Sequence, residues 1–447
     1  MCGLIGIKNV RKAAELAVVG AHELQHRART YAGAASSDGE RMYMHAGKGL
    51  AREVFTSAWL NRLHGTDAVV HVRYPTDADM EDRDNTQPIR GIYKGKDFAL
   101  AHNGNLTNVK ELRELLPQGS KFSTSTDSEY IVRLIEHLQT GNLRQDLSRV
   151  FSLLKGSFAL VILMHDCVIA VMDSRNNHPL SIAKLNDGYC VASETCAFPI
   201  VGAKFLMDVA PGTFTVITKQ GLAHTTFAQA DMKRCVFELL YNSHVASRVF
   251  DVGVTRFRVA IGVELEKLFP VDGGDTDLIV TPVPDSGRPY AQGFAKNGRS
   301  GEDFQVIWRN HYVGRTFNAA TQALRDEEVS RKFMFDADEI KGKRVVVLDD
   351  SIVRGTTLPK IINMLWQLGA KEVHARIATP AIKHICHYGI YMDEDDTDLI
   401  AAKLTPPQMA KKMGATSLEF LPLPELQRLL PDPTSYCFAC MNGDYWK

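Results

Sequence analysis

Apolar positions along the chain fall into short runs of strand length, bounded by glycine, proline or charged residues. In the first half these are Cys2–Ile7, Ala68–His71, Phe98–His102 and Phe158–Met164, each short enough and apolar enough to be a buried strand. A further strand is expected at Thr213–Ile217, after the turn Pro211-Gly212. Periodicity then weakens through Gly221–Met232, and a helix-like run begins at Cys235. The change of pattern places a boundary near residue 230, giving units 1–230 and 231–447. Beyond it the pattern alternates. Strands are predicted at Leu278–Val283, Phe304–Trp308, Val345–Leu348 and Glu372–Ile377, and Leu358, Ile361, Ile362, Met364 and Leu365 carry the spacing of one helix face. Strand and helix in alternation predict an α/β unit on a mostly parallel sheet.

Composition narrows the setting. The 447 residues suffice for two or three domains, and 45% hydrophobic with 23% charged residues is ordinary for a globular protein. No apolar run approaches the ~20 residues that span a bilayer, and Met1-Cys2-Gly3 has no basic leader, so a cytoplasmic protein without a membrane role is expected. Lysine plus arginine equals aspartate plus glutamate at 52 each. No surplus positive charge draws nucleic acid, so anions must be bound locally. Eight cysteines without a secretion signal favour thiol or metal chemistry over disulfides.

The stretch Lys343–Thr357, KRVVVLDDSIVRGTT, constrains the chemistry most. A buried parallel strand would deliver Asp349 and Asp350 to its carboxyl end, where open α/β sheets bind ligands. Ser351, Arg354, Gly355, Thr356 and Thr357 form the following loop and open a helix, a setting whose backbone N–H groups cradle phosphate. Val283-Pro284-Asp285-Ser286-Gly287 is a second turn of this kind, and Ser286 suits a pyrophosphate-bound metal. Between them Arg309, Tyr312 and Arg315 lie in a polar glycine-bearing stretch fit to close over a polyanion.

The first half carries a different chemistry. Removal of Met1 would leave Cys2 with thiol and α-amine on one residue, nucleophile and base together. Asn103 and Gly104 offer two donors for an oxyanion. Arg73 suits the α-carboxylate of a free amino acid, and Asp127 its α-ammonium.

These motifs carry two resemblances. Lys343–Thr357 is similar to the signature of the phosphoribosyltransferases, which bind 5-phosphoribosyl-1-pyrophosphate (PRPP) with Mg2+. Cys2, Arg73, Asn103, Gly104 and Asp127 fall on the motif of class II glutamine amidotransferases. Together the chain resembles, over nearly its whole length, the glutamine phosphoribosylpyrophosphate amidotransferase family. The resemblance implies an N-terminal-nucleophile hydrolase αββα sandwich followed by a type I phosphoribosyltransferase domain. It also implies glutamine and PRPP as substrates, 5-phosphoribosylamine, glutamate and pyrophosphate as products, nucleotide inhibitors, and a homo-oligomer, a tetramer in that family. Two departures from the family pattern stand out. Ala28 and Tyr31 replace a glycine and a serine after Gln25-His26-Arg27, and Arg309 and His311 replace a lysine and an arginine in the polar stretch.

Cys437-Phe438-Ala439-Cys440 is a CxxC pair suited to zinc or iron-sulfur ligation or to a plain thiol pair. By resemblance to the iron-sulfur branch of the family, Cys235 and Cys386 join Cys437 and Cys440 as ligands of a 4Fe-4S cluster. Cys167, Cys190 and Cys196 are expected in the core. Two other functions fit the motifs: a PRPP-binding regulator without coupled glutaminase activity, and an amidotransferase with a different acceptor.

Overall fold

The computed structural model describes residues 1–74, 83–271, 277–296, 302–310, 332–390, 392 and 399–446. Two sheets stack in the first half. A seven-stranded sheet runs in the order Lys204–Asp208, Ser181–Leu185, Gly188–Ala192, Gly3–Lys8, Asp67–Arg73, Tyr31–Ser37 and Met42–Lys48. A six-stranded sheet runs Gly221–Thr226, Thr213–Thr218, Val168–Met172, Gly156–Leu163, Lys96–Leu106 and Ile89–Tyr93.

Alternation along the central strands explains why both faces of each sheet are covered. Leu4 and Val69 point between the sheets with Ala99, Ala101, Ala159 and Val161. Ile5, Ile7, Val70 and Val72 point outward under the helix Ala13–Glu23. On the other sheet Phe98, Leu100, Leu160 and Ile162 face the helices Asp127–His137 and Leu143–Leu153. Period-two side chains buried on both sides give four layers, αββα. Small residues between the sheets allow close approach. A Cβ at Gly6 would lie 2.7 Å from Val161 Cγ1.

In the second half five strands, Glu302–Asp303, Leu278–Pro282, Arg344–Asp349, Glu372–Ile377 and Ser417–Phe420, make an all-parallel sheet. Val346 and Leu348 face the helices Val254–Leu268 and Arg288–Ala295. Val345 and Val347 face Leu358–Gln367 and Pro406–Met413. The strand Arg344–Asp349 is central and buried on both faces, which is why it reads as a continuous apolar run.

Three expectations need correction. Gly221–Thr226 is a strand, paired with Thr213–Thr218; its residues are half-exposed on the sheet edge, so it lacks the apolar alternation that marks buried strands. Phe304–Trp308 is not one strand. Glu302–Asp303 joins the parallel sheet, whereas Ile307–Arg309 pairs antiparallel with Phe333–Phe335 in a separate ribbon. The run from Cys235 begins as a two-residue strand, Arg234–Cys235, parallel to Tyr436–Cys437. A π-helical turn over Glu238–Asn242 follows, and the α-helix starts only at Val254. Among the described residues no helix is long and apolar enough to cross a membrane.

Candidate active sites and the cysteine cavity

Antiparallel pairing sets Gly3 opposite Val72, so Cys2 emerges beside Arg73, one residue past the last ladder pair. Cys2 donates its N–H to Asn103 Oδ1 at 3.0 Å, from one sheet to the other. Its carbonyl accepts from Arg27 Nε at 2.7 Å. The Asn103 Nδ2 and Arg73 Nη1 atoms are buried without a hydrogen-bond partner among the described residues. Buried donors are rarely left unpaired, and a role in binding or catalysis is one reason for an exception. Arg73 lies over the Tyr31 ring at 5.9 Å. The bulky Tyr31 therefore forms the floor under the guanidinium.

Asp127 opens a helix behind this pocket, accepting from Leu106 N–H at 2.8 Å. His71 and His102 are fully buried, and burial pushes both below the ordinary imidazole range, His71 to about 3. Burial thus favours the uncharged ring in both, against the opposing pull of Asp127 on His102. Gly104 sits where a Cβ would fall 2.1 Å from the Ser157 carbonyl oxygen, so no larger residue fits. Gly104→Ala should lower glutamine hydrolysis at least about tenfold by moving the oxyanion donors, read as glutamate release per mole of folded protein. Ala28 is buried, and its carbonyl accepts from Gln25 Nε2 at 2.6 Å, which fixes this loop.

Sequence reasoning missed the charges behind Cys2. Arg27 is completely buried and bonds Glu194 Oε1 at 2.6 Å and Glu238 Oε1 and Oε2 at 2.7 and 3.0 Å. Burial disfavours the Glu238 carboxylate, but Arg27 and His178 outweigh it and hold its pKa at about 2. One signal was available: Glu238 is a lone acid in the apolar run Val236-Phe237-Glu238-Leu239-Leu240, and a buried charge requires a partner. Glu194, by contrast, lies in an ordinary turn.

In the second half, Val283 N–H donates to the Leu348 carbonyl at 2.8 Å, which brings the Ser286 turn beside Asp349 and Asp350. A Cβ at Gly287 would sit 2.3 Å from that carbonyl. Ser286 and Ser351 both hydrogen-bond Asp350, Ser351 at 2.5 Å. Burial lifts both carboxyls above the ordinary range; the neighbouring Asp350 charge adds to the effect at Asp349, while the two serine hydroxyls and Arg258 partly counter it at Asp350. Two crowded buried acids call for a cation. Ser351–Thr357 leads into the helix Leu358–Gln367, and Gly355 makes the turn at φ +68°. Arg354 and Thr356 are exposed, with Thr357 at the helix cap. Arg309 pairs with Asp285 at 2.8 Å. Tyr312, Arg315 and His311 lie outside the described residues. A cleft of about 590 Å³ near Lys383, Leu404 and Met409 is lined mainly by apolar groups and lies apart from these residues.

Cys235, Cys386, Cys437 and Cys440 line one small cavity, with Cys235 opposite Cys437 in the parallel pair. All four are free thiols. Burial lifts each one, Cys437 to about 12; neighbouring sulfurs add to it at Cys235, Cys437 and Cys440, while backbone N–H groups of Tyr388, Gly389 and Ile390 partly counter it at Cys386. Four clustered sulfurs, two buried and two half-buried, are a soft donor set of the kind that holds zinc or an iron-sulfur cluster. Among the described residues no group of three or more His, Cys, Asp or Glu side chains is placed as the ligands of a metal ion. Cys167 and Cys190 are buried as expected, but Cys196 is only half-buried, its sulfur 3.9 Å from Glu194 Oε2; the charged turn it stands on opens it to solvent.

Comparison with known proteins agrees with both halves. A family model described as a glutamine amidotransferase domain matches residues 71–199. An amidophosphoribosyltransferase of Bacillus subtilis is 37% identical over 99% of this chain and 94% of its own. That of Archaeoglobus fulgidus is 36% identical over 100% and 98%. The solved structure of the B. subtilis glutamine PRPP amidotransferase complexed with ADP and GMP superposes with a TM-score of 0.91 at 36% identity, covering 99% of this chain and 97% of that one. At this identity and coverage, the chain belongs to the amidophosphoribosyltransferase family.

Proposed function

We propose that the protein transfers nitrogen from glutamine to PRPP, giving 5-phosphoribosylamine, glutamate and pyrophosphate, with residues 1–230 as glutaminase and 231–447 as phosphoribosyltransferase. The observation that carries it is the pair of unpartnered buried donors, Asn103 Nδ2 and Arg73 Nη1, beside Cys2, in a chain whose second half holds two buried acids over a phosphate-type loop.

Once Met1 is removed, the Cys2 thiol attacks the carboxamide carbon and its proton passes to the Cys2 amine, which Asn103 Oδ1 orients. Asn103 Nδ2 and the Gly104 N–H receive the oxyanion. Arg73 and Asp127 hold the α-carboxylate and α-ammonium. The Cys2 ammonium returns the proton to the leaving nitrogen as the C–N bond breaks, ammonia departs, and water cleaves the thioester to glutamate and the free thiol. In the other half Asp349 and Asp350 hold the ribose hydroxyls, and Ser351, Arg354, Gly355, Thr356 and Thr357 hold the 5-phosphate. Arg309, Tyr312 and Arg315 would close over the pyrophosphate. Ammonia then attacks the anomeric carbon as that carbon's C–O bond to pyrophosphate breaks, pyrophosphate leaves, and the new ammonium group loses a proton to give the amine. Ser286, Asp349 and Asp350 would hold Mg2+, which neutralises the leaving group when bound. The few carboxylates here suit magnesium, which keeps waters and substrate phosphates as its other ligands.

A paired assay tests the reading. Glutamate and pyrophosphate should appear in equal amounts when glutamine and PRPP are both present. PRPP binding with no glutamate made would favour the uncoupled regulator, and glutamate without PRPP-dependent pyrophosphate release a different acceptor.

The four cysteines would hold a 4Fe-4S cluster that ties the start of the second half to its carboxyl end. Protein prepared without oxygen should contain about four irons and four sulfides per chain by the chemistry of such clusters. Zinc in their place, or neither metal, removes the cluster. ADP- and GMP-type nucleotides are the proposed inhibitors.

A further inference from the structure

Three side chains of the first half converge on the peptide that follows Cys386. Asn105 Nδ2 donates to the His387 carbonyl at 2.9 Å. The Ser157 hydroxyl and His178 Nε2 both bond the Tyr388 carbonyl, the latter at 2.9 Å. A carbonyl only accepts, so Nε2 carries the hydrogen. Gly389 follows at φ +123°; a Cβ there would lie 2.7 Å from His178 Nε2 and 3.5 Å from the carbonyl carbon of Gly104. Asn105 and Ser157 are paired across the ladder next to Gly104 and Phe158. The peptide 387–389 thus forms the back wall of the strand that offers the oxyanion donors.

The other ring nitrogen of His178 faces the opposite way. Nδ1 lies 3.3 Å from Glu238 Oε1, and Glu238 holds Arg27, which holds the Cys2 carbonyl. His178 is fully buried. It therefore touches both supports, the wall behind the oxyanion strand and the charge chain behind the nucleophile.

We propose that His178 is a positioning residue of the glutaminase reaction: its Nε2–H holds the Tyr388 carbonyl, and with it the wall that keeps Gly104 and Asn103 aimed at the oxyanion. This rests on the proposed glutamine site. Donors must be placed to a fraction of an ångström, and a misplacement near 1 Å costs about 10²-fold in rate. The effect belongs to the transition state, because His178 is not among the groups assigned to the α-carboxylate or α-ammonium.

The test compares His178→Ala, His178→Gln and His178→Asn in the full chain, with glutamine hydrolysis, ammonia-dependent pyrophosphate release, iron content and thermal midpoint measured on each. Alanine should lower kcat for glutamine about tenfold to a hundredfold with KM within about twofold, leaving ammonia-dependent turnover unchanged; because His178 also lines the cysteine cavity, rates are compared per mole of protein of equal iron content. Glutamine, whose terminal N–H reaches where Nε2 was, should restore most of kcat; asparagine, which replaces only the Nδ1 side, should not. Should alanine fail to fold, the Gln and Asn pair decides alone, and equal kcat values in the two overturn the proposal. So does a parallel fall of glutamine- and ammonia-dependent rates, or a rise in KM with kcat intact. Failure of the underlying glutamine site would be seen separately, as glutamine-dependent activity surviving Cys2→Ala.

Discussion

With Cys2→Ala, glutamate release from glutamine should fall by about 10⁴-fold or more, while pyrophosphate release from PRPP with an ammonium salt as nitrogen donor should stay close to that of the unchanged chain. The size follows from chemistry. Without the sulfur no thioester forms, and the oxyanion donors and the Arg73 clamp can only polarise a carboxamide toward water. The selectivity follows from the fold. Asp349, Asp350 and the Ser351–Thr357 loop stand at the carboxyl end of a separate five-stranded sheet, and the Cys2 side chain is not part of it. Alanine retains the backbone contacts of Cys2 with Asn103 and Arg27, so the thermal midpoint should move little. Glutamate and pyrophosphate measured at several ammonium concentrations give both arms in one experiment. Glutamine-dependent turnover within tenfold of the unchanged chain would remove Cys2 as the nucleophile.

Strands were legible where large aliphatic residues run together, as in Gly3–Lys8 and Arg344–Asp349; Tyr31–Ser37 was not, although it is buried throughout, because its alanine, glycine and serine residues give no apolar signal. Edge strands were not legible either. Gly221–Thr226 is half-exposed and Ile307–Arg309 is three residues long, so neither leaves an apolar pattern. Site residues were readable where short motifs put unusual chemistry in a row, as in Asp349-Asp350-Ser351 or His102-Asn103-Gly104. What the sequence hid are the contacts made across long separations. Arg27, Glu194 and Glu238 meet from positions 167 and 211 residues apart, and no local spacing encodes that. His178 was equally silent, because its two partners are a carboxylate 60 residues on and a backbone carbonyl 210 residues on. Tyr31 could be seen as a departure from a motif, but its place under Arg73 required the register of two strands.

Arg27→Met should be the most destabilising single change behind the site, by about 3–5 kcal/mol at neutral pH, because the new side chain fills the space but leaves buried Glu194 with only His26, and buried Glu238 with only His178, in place of the guanidinium. The loss belongs to the stranded carboxylates and not to the missing guanidinium alone. Combining Arg27→Met with Glu194→Gln and Glu238→Gln should therefore recover much of it. pH separates this account from simple misfit. In the unchanged chain both carboxylates are held below their ordinary value of 4.5, Glu238 at about 2. A depressed folded pKa gives stability that is full above 4.5 and drains away as pH falls toward 2. With Arg27 gone, burial dominates, the carboxyls take up protons at higher pH, and acid relieves the strain instead of adding to it. Urea midpoints of the two proteins should thus lie far apart at pH 7 and approach each other between pH 4.5 and 2. A gap that stays constant over that range would mean that Arg27 acts through packing and that its charge is dispensable. Glutamine turnover should fall along with stability at pH 7, since Arg27 Nε is the donor that fixes the Cys2 carbonyl, and the triple variant, though refolded, should stay slow.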